Sequence, residues 1–450
     1  MSTLSDKTAS SIRLLESWTN SQMAYSGQPA ISMAIVKDQE IVWSRGFGYA
    51  DAEEKIEATP ETIYRIASIT KLFTSTAVMQ LRDQGRLSLH DPVADHLPWF
   101  SVAEPKGRPI TIENLITHTS GLPREAAGPY WTTTEFPTKE EVAENLPGQR
   151  HPLKPWRKWK YSNLALSLAG YIVEEASGSP FEEYVKENIL APLGMNSTYV
   201  ESIPGDHPKL AKGYGRRMPD GTRRPCMYTD CRGITPAANM ATSVLDMAKF
   251  AMLQFREDED GAVLAGETLR EMHRVHWLDS NWVEGWGLGF NVLRVGGKTY
   301  VGHGGSVSGY RTNIRISLED KVAAITFTNA DDGEPIKYAE KAHQWVTPTL
   351  AEKPSDATAG DWGKYTGRFR NIWGDAEVLL YNGELVMINP QLPDPLAELT
   401  TLKHVEGDRF LMKAPGYGSH NEYAVYEFDE EGKTKRLKTG ENYTYPVKNW

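Results

Sequence analysis

The stretch Tyr64-Arg65-Ile66-Ala67-Ser68-Ile69-Thr70-Lys71 opens the most informative part of the chain. Behind Ser68, apolar residues recur at helical spacing as far as Gly85, so the sequence predicts a helix with Ser68 at its head. Ser68 and Lys71 then share one face of this helix. A serine hydroxyl needs a neighbouring base to attack a carbonyl group, and a lysine can serve if burial or a nearby cation lowers its pKa. The alternative interpretation is a helix-capping serine followed by a solvated lysine.

A second motif, Tyr161-Ser162-Asn163, lies between a basic, proline-rich run (residues 147–160) and a segment with helical apolar spacing. We therefore expect Tyr161 on a loop that leads into a helix, pointing into a cleft, with Ser162 or Asn163 as the helix cap. A phenol near two cations can ionise near neutrality and can pass the proton of the nucleophile to a leaving group. Alternatively, Tyr161 only packs and Asn163 only caps.

A third motif, His303-Gly304-Gly305, interrupts a β pattern. Residues 297–301 predict a strand that runs into His303, and residues 310–316 alternate as a second strand. Two glycines allow a substrate carbonyl to approach the backbone, and the amide of Ser306 is then a candidate donor to an oxyanion. The alternative is a glycine-rich hairpin with an incidental histidine.

Further stretches accompany the three motifs, namely Leu87-Ser88-Leu89-His90-Asp91-Pro92-Val93, Leu115-Ile116-Thr117-His118-Thr119-Ser120-Gly121-Leu122 and Gly285-Trp286-Gly287-Leu288-Gly289-Phe290. Together they make residues 29–350 resemble the serine β-lactamase and penicillin-binding-protein superfamily. Within it, the chain is similar to the class C β-lactamase-like branch, which also holds DD-carboxypeptidases, D-amino-acid peptidases and small-ester esterases.

The resemblance implies a role for each residue of the site. Ser68 would be the acylated nucleophile, with Lys71 and Tyr161 as the proton-transfer pair. Asn163 would bind the acyl side of the substrate, and the amides of Ser68 and Ser306 would form the oxyanion hole. His303, Gly304 and Gly305 would line the substrate site.

His303 departs from the pattern, because much of the family has a lysine there. A histidine is mostly neutral at pH 7 unless a neighbour raises its pKa. This change favours uncharged esters or amides over carboxylate-bearing substrates.

Two other basic features of the sequence are alternative sources of a cation for the site. The loop that holds Lys154, Arg157, Lys158 and Lys160 flanks the second motif, although a solvated basic loop is the simpler interpretation. Lys438-Thr439-Gly440 is a literal K-T-G, a known partner of S-x-x-K, but it lies beyond a predicted domain boundary.

Composition agrees with an enzyme that acts on small molecules. Among 450 residues, 49 are Lys or Arg and 59 are Asp or Glu, and this net charge of −10 argues against nucleic acid as the main partner. No apolar run approaches the length of a membrane span, and the N-terminus reads as an amphipathic helix, so we expect a cytoplasmic protein without a membrane partner. The spacing of the two cysteines, Cys226 and Cys231, could close a small disulfide loop, but we expect reduced thiols in a reducing compartment. We expect no metal and no cofactor.

The order of predicted elements indicates an α+β fold. Strands near both ends of residues 1–350, with mostly helical sequence between them, predict an antiparallel sheet flanked by helices and carrying a helical insertion at about residues 72–240. Residues 351–360 read as a linker. Residues 361–450 predict a small β-barrel or sandwich that caps the cleft, mediates contacts in a homo-oligomer or is a passive appendage.

Two classes of function remain open. The first is a serine hydrolase that forms an acyl-Ser68 intermediate on small esters or amides, of the esterase or D-amino-acid peptidase type, with β-lactamase, DD-carboxypeptidase or acyltransferase activity as variants. The second is a non-catalytic acyl-binding sensor on the same fold. Turnover distinguishes the two classes.

Overall fold

The computed structural model of the chain describes residues 4–103, 107–258, 261–351, 362–414 and 419–447. These residues group into two compact units, one of residues 28–340 and one of residues 4–27 with the described residues from 341 onward. The sequence places the N-terminal helix in the hydrolase domain, whereas the structure groups this helix, α1 (Asp6–Ser26), with the C-terminal unit. The reason is packing, because Trp18 meets Trp345 edge-on with 5.3 Å between ring centroids. The predicted linker lies outside the described residues apart from Ala351, and the predicted domain limits stay a prediction.

The larger unit contains a wholly antiparallel sheet. The strands of this unit are β1 (Ala30–Lys37), β2 (Glu40–Asp51), β3 (Ile56–Glu57), β4 (Ile63–Arg65), β5 (Ala241–Ser243), β6 (Trp277–Leu278), β7 (Glu284–Trp286), β8 (Asn291–Val295), β9 (Lys298–Val307), β10 (Tyr310–Ser317) and β11 (Val322–Thr328). Within the described residues, nine of them form one sheet in the order β3-β2-β1-β11-β10-β9-β8-β7-β6, and β4 pairs separately with β5. The central strands β1 and β11 are buried almost throughout, so the sheet is covered on both faces there.

One predicted strand is wrong in its extent. The sequence predicts a strand near residues 286–295, but the structure breaks it between β7 and β8. Gly289 adopts a left-handed conformation with φ +84°, and a Cβ there would overlap the side chain of Ser75. The chain therefore turns at this glycine, and the amide of Gly287 closes the turn on the carbonyl of Phe290 at 2.8 Å.

Helices cover the sheet and supply the insertion. The remaining helices are α2 (Thr70–Asp83), α3 (Val93–His96), α4 (Ile112–Ile116), α5 (Tyr130–Thr133), α6 (Lys139–Asn145), α7 (Asn163–Ser177), α8 (Phe181–Val185), α9 (Ala191–Leu193), α10 (Thr235–Ala238), α11 (Val244–Leu253), α12 (Gly266–His273) and α13 (Pro335–Trp345). Helices α2 and α7 are buried along most of their length. Gly170 allows close packing of α7 on α10, because a Cβ there would overlap the ring of Pro236.

The described part of the C-terminal unit is a closed barrel of eight strands. Its strands are β12 (Gly367–Asn371), β13 (Gly374–Tyr381), β14 (Glu384–Ile388), β15 (Thr400–Glu406), β16 (Arg409–Lys413), β17 (Tyr423–Phe428), β18 (Thr434–Thr439) and β19 (Asn442–Pro446). The dipeptide Asn382-Gly383, a typical hairpin turn, joins β13 to β14, and both residues have positive φ, as this turn requires. Buried aromatic residues, including Phe369, Phe410 and Tyr426, fill the barrel.

The predicted α+β class is confirmed, and of the two predicted forms of the C-terminal unit the barrel is the one observed. In the parts of the chain that the structure describes, no helix has both the length and the apolar character needed to cross a bilayer.

Candidate active site

Ser68 lies in a short 3-10 turn, Ala67–Ile69, that runs directly into α2. The preceding residue, Ala67, has a left-handed backbone with φ +49°, a conformation that costs a non-glycine residue on the order of 1 kcal/mol or more. The segment is held from outside, since the amide of Ile66 donates to the carbonyl of Met240 at 2.9 Å. The turn thus fixes Ser68 just ahead of a buried helix, which begins two residues later at Thr70.

Ser68 Oγ contacts the two groups expected to move its proton. Lys71 Nζ lies 3.2 Å from Ser68 Oγ, and the phenol of Tyr161 donates to the same oxygen at 2.7 Å. Lys71 also donates to Asn163 Oδ1 at 2.8 Å and to the carbonyl of Ala237 at 2.7 Å. The structure therefore brings Ser68 and Lys71 together with Tyr161 and Asn163, which lie at least 90 positions further along the chain.

The pKa of Lys71 is lowered to about 7. Burial is the largest cause, because the side chain is fully buried and a charged ammonium loses its hydration there. The carboxylate of Glu125 opposes this shift, and the guanidinium of Arg124 adds to it. A substantial fraction of Lys71 is therefore neutral near pH 7.

Tyr161 behaves differently from the expectation of an ionised phenol. Burial raises the pKa of Tyr161 above its ordinary value, and neither its hydrogen bond to Ser68 nor the nearby Arg124 reverses the shift. The ring is held by His118, which packs against it at an interplanar angle of 32° with 4.5 Å between centroids and accepts a hydrogen bond from the amide of Ser162 at 3.2 Å. The phenol is therefore protonated and in place as a donor.

The start of α7 positions the second motif. Of the two predicted caps, Ser162 and Asn163, the structure has Ser162 as the cap, and its Oγ accepts a hydrogen bond from the amide of Ala165 at 2.9 Å. The next residue, Asn163, turns inward and is buried. Its amide nitrogen donates to both carboxylate oxygens of Glu125, at 2.9 and 3.0 Å. Both ends of the Asn163 amide are thus engaged within the protein, and its predicted contact with the acyl group stays a prediction.

The third motif lies on β9, which extends further than the sequence predicts and includes His303, Gly304 and Gly305. Gly305 packs against the segment that precedes Ser68, since a Cβ at this position would overlap the carbonyl oxygen of Ile66. Thr312 on β10 donates to the same carbonyl at 3.1 Å. This contact holds β9, and with it the backbone of Ser306, beside the turn that carries Ser68.

His303 is buried, and its ring lies among aromatic neighbours, with centroid distances of 6.0 Å to Trp286 and 6.4 Å to Tyr161. Burial lowers its pKa to about 4, with a further contribution from Lys71, so the ring is neutral at pH 7. Nδ1 lies 2.6 Å from the carbonyl of Gly304, which places the ring proton on Nδ1 and leaves Nε2 as an acceptor. Nε2 has no hydrogen-bond partner among the described residues.

A cleft of about 1060 Å³ opens onto these groups. Its lining includes Ser68, Tyr161, Asn163, His303, Gly304, Gly305 and Ser306 from the three motifs, and Trp131 and Trp159 as aromatic walls. The basic loop contributes little, since Lys154, Arg157 and Lys158 are exposed away from this lining and Lys160 donates to the carbonyl of Leu122 at 2.9 Å. The cations of the cleft are instead Arg124, Arg311 and Lys337.

Sequence reasoning missed several residues of the site. Glu125, Arg124 and His118 have no recognisable pattern of their own, although they lie within or just after the stretch from Leu115 to Leu122 that carries part of the resemblance. The carbonyl of Ala237, on α10, has no side-chain signature at all. Lys438-Thr439-Gly440 lies at the end of β18 in the barrel, where Gly440 turns with φ +57°.

Cys226 and Cys231 are both free thiols. Among the described residues, no group of three or more His, Cys, Asp and Glu side chains is arranged to hold a metal ion.

Comparison with known proteins identifies the family of the chain. A model of the beta-lactamase family matches residues 15–346. The putative penicillin-binding protein PbpX of Bacillus subtilis (strain 168) is 30% identical over 296 residues, which cover 66% of this chain and 69% of that protein. The chain also matches the protein flp of Staphylococcus aureus (strain N315), but it spans less than half the length of that relative, 45%.

Solved structures are similar as well. The octameric penicillin-binding protein homologue from Pyrococcus abyssi superposes with a TM-score of 0.67 at 28% identity, over 96% of this chain and 99% of that one. The D-amino acid amidase from Ochrobactrum anthropi SV3, solved with L-phenylalanine amide, superposes with a TM-score of 0.62 at 25% identity, over 76% of this chain and 97% of that one.

Proposed function

Since this chain belongs to the beta-lactamase family of serine hydrolases, we propose that it hydrolyses small esters or amides through an acyl-Ser68 intermediate. One observation carries the proposal: Ser68 Oγ lies within hydrogen-bond distance of both Lys71 Nζ and the phenol of Tyr161, at the edge of an open cleft. A nucleophile in contact with a base of lowered pKa and with a protonated donor has the parts that acyl transfer needs.

The hydrogen bonds of Lys71 suit a neutral base. A neutral amine has two N–H bonds and one lone pair, and two oxygens, Asn163 Oδ1 and the carbonyl of Ala237, accept from this nitrogen. The lone pair is then directed to Ser68 Oγ, the third partner. As Oγ attacks the carbonyl carbon of the substrate, Lys71 takes the hydroxyl proton. The backbone amides of Ser68 and Ser306 are the proposed donors to the oxyanion.

Tyr161 is the proposed acid. Its protonated phenol gives a proton to the departing alcohol or amine, and the proton on Lys71 restores the phenol. Water then attacks the carbonyl carbon of the acyl-Ser68 ester, and one of its protons passes to Lys71. Lys71 gives this proton to Ser68 Oγ as the bond from Oγ to the acyl group breaks, and the carboxylic acid product is released. Each half-reaction returns Lys71 and Tyr161 to their starting protonation states.

His303 supports the proposed substrate class. At the position where much of the family has a lysine, this chain presents a neutral ring, so it lacks a cation there for a substrate carboxylate. Trp131 and Trp159 add apolar surface to the cleft. These features favour uncharged esters and amides with an apolar acyl group, as in an esterase or a D-amino-acid amidase. Cleavage of β-lactams, DD-carboxypeptidase activity, acyl transfer and a sensor that is acylated without turnover are the alternatives.

A substrate panel tests the proposal directly. Short-chain nitrophenyl esters, D- and L-amino-acid amides, a D-alanyl-D-alanine peptide and a chromogenic cephalosporin are assayed in parallel, and the intact mass of acid-quenched enzyme is recorded. We expect multiple turnovers on the neutral substrates and a mass increase that maps to Ser68. Acylation without turnover would favour the sensor, and a mass increase elsewhere or none with any compound would contradict the proposal.

We also propose that the chain forms homo-oligomers. The support is its similarity, over 96% of its length, to a homologue described as octameric. Sedimentation velocity over a range of protein concentrations tests this, and a monomer at all concentrations contradicts it.

A further inference from the structure

The amide of Asn163 lies between two groups of opposite charge. Its oxygen accepts from Lys71, and its nitrogen donates to both oxygens of Glu125. A carboxylate only accepts hydrogen bonds, so it can face the NH2 end of the amide and not the carbonyl end. Rotating the amide by 180° would place oxygen against oxygen at Glu125 and an NH2 group against the amine of Lys71. Glu125 therefore determines which end of Asn163 faces Lys71.

Glu125 is itself held from two sides. The buried phenol of Tyr130 donates to Glu125 Oε2 at 2.8 Å, and Tyr130 remains a donor because burial and the carboxylate raise its pKa. Arg124 Nε lies 3.2 Å from Glu125 Oε1. With Asn163, these contacts give Glu125 partners on both oxygens and a defined position at the wall of the cleft.

Few charges act on Lys71. Glu125 raises the pKa of Lys71, Arg124 lowers it, and Cys231 raises it by the least of the three. His118 and His303 also lie near the amine, but burial lowers the pKa of each, so both rings are neutral. Of the neighbouring groups named here, Glu125 is the carboxylate that supports the basicity of Lys71.

We propose that Glu125 is a positioning residue for the reaction: it orients Asn163 so that the lone pair of Lys71 points at Ser68. The negative charge of Glu125 also acts on this amine and makes it a stronger base. The inference rests on the proposed function, in which neutral Lys71 takes the proton of Ser68. Glu125 does not need to touch the substrate for either effect.

The test compares Glu125→Gln with Glu125→Asp. The glutamine keeps an oxygen acceptor for Asn163 but removes the charge. The pKa of Lys71 should then fall, and the acid limb of kcat/KM should move to lower pH by roughly one pH unit, with a lower plateau because the base is weaker. The aspartate keeps the charge but shortens the reach to Asn163. Its plateau should fall several-fold while the acid limb stays in place.

Arg124→Gln is the control of opposite sign. It removes a cation that lowers the pKa of Lys71, so its acid limb should move to higher pH. The shift should be smaller than for Glu125→Gln, because the Arg124 side chain is 65% exposed and solvent screens its charge. Circular dichroism and thermal unfolding verify that each variant is folded.

An NMR titration of the Lys71 side chain, in the wild type and in Glu125→Gln, measures the same shift without turnover. The inference is overturned if wild-type enzyme turns over but the Lys71 titration of Glu125→Gln is unmoved or moves to higher pH. It is also overturned if Glu125→Asp keeps the wild-type plateau of kcat/KM. This second test does not depend on whether the glutamine variant folds. Failure of the proposed function differs, since the wild-type enzyme would then not turn over its substrates, whether or not Ser68 is acylated.

Discussion

Tyr161 donates a hydrogen bond to Ser68 Oγ over 2.7 Å, and burial keeps the phenol protonated. This contact separates the roles of the two proton-transfer groups. Lys71, whose pKa is lowered to about 7, can accept a proton near neutrality, whereas Tyr161 can only donate one in the resting state. The division depends on burial, which shifts the pKa of an amine down and that of a phenol up. The same desolvated site thus prepares a base and an acid at once.

Ser68→Ala should abolish turnover and leave the fold intact. The substitution removes only the nucleophilic oxygen, since Lys71 keeps Asn163 and Ala237 as partners. Loss of a nucleophile that acts as a unit with its base should cost on the order of 10³-fold or more in kcat. Assays with a neutral ester, with thermal unfolding as the control, measure this. Activity above a few per cent of wild type would exclude the mechanism.

Lys71→Ala and Tyr161→Phe should each be severe, and the double variant should be little worse than the worse single one. Both groups contact the same oxygen of Ser68, and members of a catalytic unit have non-additive effects. Single-turnover acylation by a labelled inhibitor measures the step itself. Additive losses would indicate that one of the two side chains only packs, and acylation at the native rate in Tyr161→Phe would remove Tyr161 from this step.

The activity should depend on pH through Lys71. The base must be neutral, so kcat/KM should be fully developed above the pKa of about 7 and fall roughly tenfold per unit below it. His303, with a pKa of about 4, stays neutral through this range and adds no limb. Because the pKa of Tyr161 is raised, its ionisation should cause no loss of kcat/KM at any pH below the ordinary pKa of a phenol. A profile measured with a neutral ester from pH 5 to 9 checks this, and a flat profile would contradict Lys71 as the base.

The sequence predicts the elements of the fold better than their limits. Helical spacing behind Ser68 and strand patterns around His303 identify α2, β9 and β10, because burial on one face imposes those periods. The break between β7 and β8 escapes the pattern, since a left-handed Gly289 is a property of the backbone and of its contact with Ser75. The sequence pattern also does not predict that α1 belongs to the C-terminal unit, because this depends on the contact of Trp18 with Trp345, more than 300 positions away.

The sequence likewise predicts only part of the candidate site. Ser68, Lys71 and Tyr161 come together as the motifs predict. The protonation of Tyr161 could not be predicted, because local sequence suggests nearby cations but does not report burial. Glu125 could not be identified either, since its role depends on a contact with Asn163 across 38 residues.

The last prediction concerns His303 and charge selectivity. If the neutral ring at this position sets the preference for uncharged substrates, His303→Lys should improve the use of carboxylate-bearing substrates relative to neutral ones. A charged hydrogen bond in a partly desolvated site contributes about 1.5–3 kcal/mol, or roughly tenfold to a hundredfold in relative kcat/KM. Competition between a neutral ester and its carboxylate analogue measures the ratio in one vessel.

His303→Gln is the matched control, because it is polar and uncharged and should leave the ratio near that of the wild type. The wild type should itself hydrolyse a short neutral ester faster than a cephalosporin. A wild-type preference for β-lactams, or no relative gain in His303→Lys, would show that His303 does not set charge selectivity. Arg124 and Arg311 would then be the cations to test, because both line the cleft, whereas Lys154, Arg157 and Lys158 do not.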